Sequence, residues 1–296
     1  MNVVWENYEY PERNIREWGS NALLEDTLVR SKWGESLIHR RRFAELPNDI
    51  SGAVVICPNN NAGHIGRLYQ DLQKLSWVML LIVGDEDGIF PTPNVRALHS
   101  NMKVWYQYPR QGNDTADRYM ICGYPPQAQK LLPGLLAKNL SRNHAWFFSG
   151  QSQNERRHQC ITQLRTDSRG DLQVTKGFWQ GFAHEEYYRR MVSAKIVPCP
   201  AGTSTPDTFR LAEALEAGCI PIADGRGPNS ERHDYWRQVF GGDVPFPVAD
   251  SWNNLPRQIS DILVGWESKA RDIGEWWKSY KRNLVNAFEN DIEEIQ

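Results

Sequence analysis

Short apolar runs alternate along the chain with longer segments in which apolar residues recur every three or four positions. Runs of the first kind, bounded by Gly, Pro, Asn or Asp, are typical of buried strands, and segments of the second kind are typical of helices. The predicted strands are residues 52–57, 77–84, 104–108, 119–122, 145–149, 172–175, 195–199, 219–223 and 244–248. The predicted helices are residues 64–75, 127–139 with an interruption at Pro133 and Gly134, 155–166, 184–193, 206–217, 235–240, 254–266 and 267–293, with one or two more within 11–46.

Strands that alternate with helices indicate an α/β fold with parallel, doubly wound sheets. The alternation occurs in two runs joined near residues 134–143, which favours two Rossmann-like lobes. A length of 296 residues suits two compact domains. We therefore predict an N-terminal lobe over residues 1–140, a C-terminal lobe over residues 141–266, and a closing helix over residues 267–296.

Composition and charge are those of an ordinary globular protein, with 40% apolar and 24% charged residues. A formal net charge of −2 gives no global basic field of the kind that attracts nucleic acid. The five cysteines include no C-x-x-C pair or zinc spacing and are expected to be buried free thiols in a reducing compartment. The N-terminus has no apolar signal core, and the longest apolar run, residues 77–83, is far too short for a membrane span, so a cytoplasmic protein without a transmembrane segment is expected.

The segment that follows the strand at residues 195–199 carries the clearest chemistry. A small, hydroxyl-rich loop contains Gly202, Thr203 and Ser204, and ends at Thr205 as helix N-cap, with Pro206 in the first helical position. A helix N-terminus offers unpaired backbone N–H groups and a partial positive charge, which together favour a phosphate. Glycine at position 202 would let the backbone approach such a ligand closely.

Two charged residues follow within the same helix. Arg210 and Glu213 are three residues apart and share a face. A carboxylate at this position can accept hydrogen bonds from the vicinal hydroxyls of a ribose. The alternative is an exposed ion pair, which would contribute at most about 1 kcal/mol.

Residues 193–222 resemble the C-terminal signature of exostosin-like glycosyltransferases, in which an "R-x-x-E-A-L-x-A-G-C-I-P-V" helix and strand follow a loop. The residues that match it, in order, are Arg210, Glu213, Ala214, Leu215, Ala217, Gly218, Cys219, Ile220 and Pro221. The sequence departs from the signature at Ile222, where the family has Val, and in the loop, where residues 203–205 replace a more basic stretch. The resemblance covers residues 145–225 and does not extend to residues 1–140.

The resemblance implies a GT-B architecture, in which two Rossmann-like lobes face a cleft and a final helix crosses back to the N-terminal lobe. It implies that the C-terminal lobe holds a nucleoside diphosphate sugar, with a UDP-sugar as the favoured donor. Glu213 would then bind the ribose, and residues 202–205 would hold the phosphates. A second element, Gly150 followed by Arg156 and Arg157, is similar to one in which an arginine neutralises the diphosphate; solvated arginines are the alternative.

Two residues are candidates for the base that deprotonates an acceptor hydroxyl. Asp85 follows the buried strand at residues 77–84, where sites form in open α/β sheets, and His64 follows the strand at residues 52–57. A rival interpretation makes Asp85 and Asp87 a metal-binding D-x-D for Mg²⁺ or Mn²⁺, which the C-terminal signature disfavours. The remaining alternatives are a solvated turn at Asp85 and an ordinary helical position for His64.

We therefore expect a glycosyltransferase, inverting and independent of metal or other cofactors, that acts on a hydroxyl acceptor. The acceptor would be a glycan or a hydroxymethylated pyrimidine in DNA. The second acceptor is considered because a helix with an arginine followed three residues later by a glutamate, together with an Asp-containing loop after a buried strand, is also similar to phage DNA glucosyltransferases. The basic stretch at residues 39–42 favours DNA, whereas the net charge does not. A non-catalytic nucleotide-sugar or glycan-binding module is the alternative. An NAD-dependent dehydrogenase is disfavoured because no G-x-G-x-x-G follows a predicted strand.

Overall fold

The computed structural model describes residues 1–8, 22–58, 63–84, 97, 99–109, 116–177, 180–228 and 234–296. The chain divides into two compact units, the first formed by Met1–Ile121 with Tyr280–Gln296 and the second by Cys122–Ser279. Each unit contains one sheet in which the paired strands are parallel. The predicted α/β class with two Rossmann-like lobes is confirmed.

The sheet of the first unit has the strand order β2-β1-β3-β4-β5-β6. Its strands are β1 (Asn2–Trp5), β2 (Ile38–Arg40), β3 (Gly52–Pro58), β4 (Trp77–Val83), β5 (Met102–Gln107) and β6 (Arg118–Met120). Helices α1 (Ala22–Arg30) and α2 (Ile65–Leu72) belong to the same unit. Every residue of β3 and β4 is buried, as expected for central strands of a parallel sheet covered on both faces.

Two strands of this sheet were not predicted. The N-terminal residues form β1, which lies between β2 and β3, and residues 38–40, predicted to be helical, form β2. Both strands are very short, so their own composition gives little periodicity. Their stability comes from pairing and from the burial of side chains such as Val3 and Val4, which only the assembled sheet provides.

The sheet of the second unit has the strand order β11-β10-β9-β7-β8. Its strands are β7 (His144–Gln151), β8 (Asp171–Thr175), β9 (Ala194–Cys199), β10 (Ile220–Asp224) and β11 (Val248–Ala249). The strand predicted at residues 244–248 is reduced to two residues at its end. From β7 the chain passes to β8 on one side and then to β9 on the other, so the winding direction changes between β7 and β9.

The helices described in the second unit include one that the sequence predicted with a break. They are α3 (Pro126–Leu136), α4 (Glu155–Leu164), α5 (His184–Val192), α6 (Phe209–Glu216), α7 (Tyr235–Phe240), α8 (Leu255–Leu263) and the first part of α9 (Trp266–Ile295). The predicted interruption of α3 is wrong, because the helix continues through Pro133, whose carbonyl accepts from Ala137 N–H at 3.1 Å. Helix α3 packs on α5 and α6, so the second unit begins before residue 141, where the sequence placed the boundary.

Helix α9 contributes residues to both units, because residues 280–296 belong to the first. The buried carboxylate of Asp291 accepts hydrogen bonds from Trp105 Nε1 at 2.7 Å and from Arg118 Nε at 2.9 Å. The Phe288 ring packs edge-on against Trp105 with the ring centroids 5.9 Å apart. These contacts join the last turns of α9 to the sheet of the first unit. In the described part of the chain, neither α9 nor any other helix has the length and apolar character needed to cross a membrane.

Candidate functional site

The carboxyl ends of β7 and β9 define the candidate site of the second unit. In open α/β sheets, ligands bind outside the carboxyl ends of the strands at the point where the winding direction changes. Here that point lies between β7 and β9. Two loops leave the sheet there: the β7–α4 loop, residues 152–154, and the β9–α6 loop, residues 200–208.

Arg210 lies in the first turn of α6 and points its guanidinium towards the end of β7. The residue is only 9% exposed. Its Nη2 donates to the carbonyl of Ser149 at 2.7 Å, and its Cζ lies 4.4 Å from the centroid of the Phe148 ring. The Nε and Nη1 atoms are buried and have no hydrogen-bond partner among the described residues. A buried guanidinium with two unused donors is unfavourable unless an acceptor from outside the chain completes it.

Gly150, the next residue of β7, leaves room for that guanidinium. A Cβ atom built at this position would lie 2.5 Å from Arg210 Nη2. Any side chain here would therefore displace Arg210 from its carbonyl partner. The sequence singled out Gly150 as part of a donor-binding element, and the structure shows it in direct contact with Arg210.

Helix α6 begins three residues later than the sequence predicted. Its N-cap is Thr208, not Thr205, and Pro206 precedes the helix. Asp207 is held by tertiary contacts, since its Oδ2 accepts from Cys122 N–H at 2.6 Å and from the Tyr235 hydroxyl at 3.2 Å. A proline also disfavours helical geometry in the residue before it. Residues 205–207 therefore stay outside the helix, and local helix propensity alone did not reveal this.

The new N-cap was missed by the sequence and has an unused polar group. Thr208 makes no side-chain capping hydrogen bond, although threonine usually does so. Its Oγ1 is buried and unpaired within the described part of the chain. The first turn of α6 therefore contributes the Thr208 hydroxyl, two Arg210 donors and the partial positive charge of the helix N-terminus to one end of the helix.

The β9–α6 loop is a tight turn. Gly202 N–H donates to the Thr205 carbonyl at 2.8 Å, and a Cβ at Gly202 would collide with the carbonyl of Asp207. Thr203 is exposed and its Oγ1 accepts from Gln153 Nε2 at 3.2 Å, whereas Ser204 is half-buried and Thr205 is buried. Glycine at position 202 is therefore required by the turn itself, whatever the turn binds.

Arg156 is held in a buried ion pair. Its Nε lies 3.0 and 3.1 Å from the two carboxylate oxygens of Asp224, and its Nη2 also reaches the Ala249 carbonyl at 3.2 Å. Asp224 is fully buried and accepts further hydrogen bonds from Trp252 Nε1 at 2.9 Å and Ala201 N–H at 3.0 Å. Arg156, expected to neutralise a diphosphate, thus has its charge balanced within the protein. Its contacts hold the ends of β10 and β11 together.

The neighbouring Arg157 is half-buried and faces the β9–α6 loop. Its Nε donates to the Ala201 carbonyl at 2.8 Å. The two arginines that the sequence grouped together therefore point to different parts of the sheet edge. The structure brings Arg157, Arg210, Gly150 and Gly202 to the switch point, whereas the guanidinium of Arg156 is taken up by Asp224 and the Ala249 carbonyl.

Glu213 is buried one turn after Arg210. Its two carboxylate oxygens accept hydrogen bonds from the hydroxyls of Tyr187 at 2.9 Å and Tyr188 at 2.8 Å. Burial raises the pKa of Glu213, while the tyrosine hydroxyls and the Arg210 charge oppose that rise. Because both residues are buried and their hydrogen bonds go elsewhere, the alternative of an exposed Arg210–Glu213 ion pair is wrong.

This environment predicts a specific pH dependence. The pKa of Glu213 is higher in the folded chain than its ordinary value of 4.5, so the folded state binds more protons than the unfolded state above that pH. The stabilising contribution of the protonated carboxyl is therefore present below pH 4.5 and is lost as the pH rises from that value through the raised pKa. Glutamine does not titrate, so the Glu213→Gln variant should gain stability relative to wild type, in urea unfolding, as the pH rises above 4.5.

Glu186→Gln is the matched control in the same unit. Arg189 and Arg190 lower the pKa of Glu186 to about 2, so this carboxylate stabilises the fold above the ordinary pKa and loses that effect as the pH falls. The difference between this variant and wild type should therefore change with pH in the opposite direction. If the free energy of unfolding of Glu213→Gln changed with pH in parallel with that of wild type, the raised pKa of the buried Glu213 would be contradicted.

The two predicted base candidates belong to the first unit. His64 is the N-cap residue of α2, is exposed, makes no capping hydrogen bond, and has its ring centroid 6.3 Å from that of Tyr8. Asp85 and Asp87 lie outside the described residues. Within the described ranges, no group of three His, Cys, Asp or Glu side chains is placed to hold a metal ion.

Comparisons with known proteins identify no family for this chain. The chain matches no protein-family model and no curated protein. Two similar solved structures are crystal structures of Alr3699/HepE from Anabaena, one in complex with UDP and glucose and one with UDP. They have a TM-score of 0.44, identities of 12% and 10%, and coverage of 99% and 98% of this chain and 98% and 100% of theirs. An identity this low transfers no residue role to this chain.

Proposed function

We propose that the chain is a glycosyltransferase that takes its sugar from a nucleoside diphosphate sugar, with a UDP-sugar as donor. One observation carries the proposal: the buried Arg210 guanidinium has two donors without partners in the described chain, at the winding switch of a parallel sheet. A phosphate group supplies the negative charge and the several oxygen acceptors that such a guanidinium requires. The donor site would therefore centre on the first turn of α6.

The other groups at the switch point support a diphosphate in particular. The Thr208 hydroxyl and the N-terminus of α6 add donors and partial positive charge beside Arg210. In the proposal, residues 202–205 border the phosphates, and Arg157 adds charge from the β7–α4 side. Glu213 would accept ribose hydroxyls through the lone pairs that Tyr187 and Tyr188 leave unused.

The proposed reaction transfers the sugar by substitution at its anomeric carbon. The acceptor oxygen forms a bond to that carbon while the bond to the diphosphate oxygen breaks, and the electron pair leaves with the diphosphate. Arg210 and the end of α6 would stabilise the charge that develops on this leaving group, without a metal ion. Asp85 and His64 stay the proposed bases for the acceptor proton, and an inverting outcome stays part of the proposal.

Thermal unfolding against a ligand panel tests the donor site. UDP and UDP-sugars, added without metal, should raise the melting temperature, whereas uridine at equal ionic strength should not. At a hundred times its dissociation constant, a ligand stabilises the folded state by about 2.7 kcal/mol. For a chain of this size that corresponds to a shift of roughly 2–4 °C for each kcal/mol. A melting temperature unmoved by every nucleoside diphosphate, with or without Mg²⁺ or Mn²⁺, would count against the proposal.

A turnover assay separates the transferase from a non-catalytic nucleotide-sugar module. With the donor identified, release of its nucleoside diphosphate is measured with oligosaccharides and with hydroxymethylated DNA. Release that depends on one acceptor class supports transfer to that class. Two exposed arginines follow β2, at positions 41 and 42, and favour hydroxymethylated DNA as the acceptor. Donor binding without release with either class would support the binding module.

A further inference from the structure

Side chains that follow β7 bind the loop that follows β9. Gln153 Nε2 donates to Thr203 Oγ1 at 3.2 Å, and Arg157 Nε donates to the Ala201 carbonyl at 2.8 Å. Between them, Asn154 Nδ2 donates to the Gly202 carbonyl at 2.7 Å and reaches the Ala201 carbonyl at 3.3 Å. The two loops at the switch point are therefore held together by side chains of one short segment.

Asn154 has two separate tasks, one for each end of its amide. Its Oδ1 accepts from Arg157 N–H at 2.9 Å and so caps α4. Its Nδ2 makes the two hydrogen bonds to the β9–α6 loop. Aspartate or serine would cap the helix equally well, but neither would supply the amide donor. The loop contacts, and not the cap, require asparagine at this position.

The geometry of a peptide group gives the loop contacts a consequence for anion binding. The peptide unit is planar and trans, so its C=O and N–H point in opposite directions. By holding the Gly202 carbonyl, Asn154 directs the N–H of Thr203 away from itself. It also occupies two carbonyl oxygens that would repel an anion if they turned towards it. Asp224 accepts a hydrogen bond from Ala201 N–H at 3.0 Å, so side chains hold an N–H group of the loop as well as its carbonyls.

We propose that Asn154 is a positioning residue for the diphosphate site, because it orients the peptide groups of the β9–α6 loop beside Arg210. The inference rests on the proposed function, since it names a residue that acts on the same site. Asn154 need not touch the ligand. It holds the backbone that does, and its loss should weaken binding without removing any charged group.

The test is Asn154→Ser, with the dissociation constants of UDP and of pyrophosphate measured by titration calorimetry on the full chain. Serine retains the helix cap and removes the side-chain amide that makes both hydrogen bonds to the loop. Both dissociation constants should rise about tenfold. Hydrogen exchange of the Gly202 amide, which donates to Thr205, should also become faster in the unliganded variant. Ile262→Val, a small core reduction in α8 of the same unit, is the stability control and should change neither quantity.

The outcomes separate the two proposals. If wild type binds UDP and Asn154→Ser binds it equally tightly, the positioning role is wrong and the proposed donor site stands. An unchanged exchange rate at Gly202 would also overturn the positioning role. If wild type binds neither UDP nor pyrophosphate, the donor site is wrong and the role of Asn154 is wrong with it. Equal weakening in Ile262→Val would reduce the effect to stability and contradict the inference.

Discussion

Arg210→Met should abolish nucleoside diphosphate binding while leaving the stability of the chain close to that of wild type. The guanidinium is buried with two donors that no described group satisfies, so relief of this unfavourable burial offsets the lost hydrogen bond to the Ser149 carbonyl, while methionine fills a similar volume. A hydrogen bond to a charged group contributes about 1.5–3 kcal/mol. Two such bonds to a phosphate correspond to more than about a 100-fold loss of affinity. Titration calorimetry with UDP and urea unfolding measure the two effects.

Arg142→Met is the matched control for this prediction. Arg142 is a half-buried arginine of the same unit, but its Nη1 and Nη2 donate to the carbonyls of Ala194 and Ala217. Its replacement should destabilise the chain by about 1–3 kcal/mol and leave UDP affinity unchanged. The two variants should therefore have opposite patterns. Unchanged UDP affinity in Arg210→Met would exclude this guanidinium from the donor site.

Asp224→Asn should be the most destabilising single change considered for the second unit. The substitution leaves the Arg156 guanidinium buried without its counter-charge and weakens the acceptor shared by Trp252 and Ala201 N–H. Removing one partner of a buried ion pair typically lowers stability by about 3–5 kcal/mol. Urea unfolding followed by tryptophan fluorescence measures the change, because Trp252 Nε1 hydrogen-bonds to this carboxylate.

Asp243→Asn provides the comparison, since Asp243 also pairs with an arginine. The Asp243 and Arg237 side chains are 88% and 66% exposed, and solvent screens such a pair almost completely. No measurable loss of stability is expected. If Asp224→Asn also unfolds at the wild-type urea concentration, the Arg156–Asp224 pair does not hold the sheet edge together.

Whether a strand or helix could be predicted from the sequence depended on its length and on how much of it is buried. Strands such as β3, β4 and β9 were found because a parallel sheet buries both of their faces, which requires an unbroken apolar run that is visible in the sequence. Strand β1 was missed because its four residues gain stability from β2 and β3 on either side of it. Helix α3 was predicted with a break because proline propensity is a local measure, whereas burial of Ala128 and Leu132 sustains the helix.

The candidate site was predictable only where its residues are close in sequence. The presence of a helix after the β9 loop and the glycines at 150 and 202 follow from local patterns that the sequence displays. The partner of Arg156 is 68 residues away, so nothing near this arginine indicates a buried ion pair. Asn154 was likewise visible as a residue preceding a helix, but its bonds to a loop 48 residues away were not. Thr208 was missed because tertiary contacts of Asp207 set where α6 begins.

The division of α9 between the units has a consequence for the order in which the chain folds during synthesis. The second unit is continuous in sequence, so all its residues have been synthesised once residue 279 is added. Synthesis of the first unit begins earlier. Trp105 and Arg118 can nevertheless donate to the Asp291 carboxylate only after residues 280–296 have been made. Domains usually fold in order from the N-terminus. Here the unit that is translated first is completed last, and until then the indole N–H of Trp105 lacks its native partner.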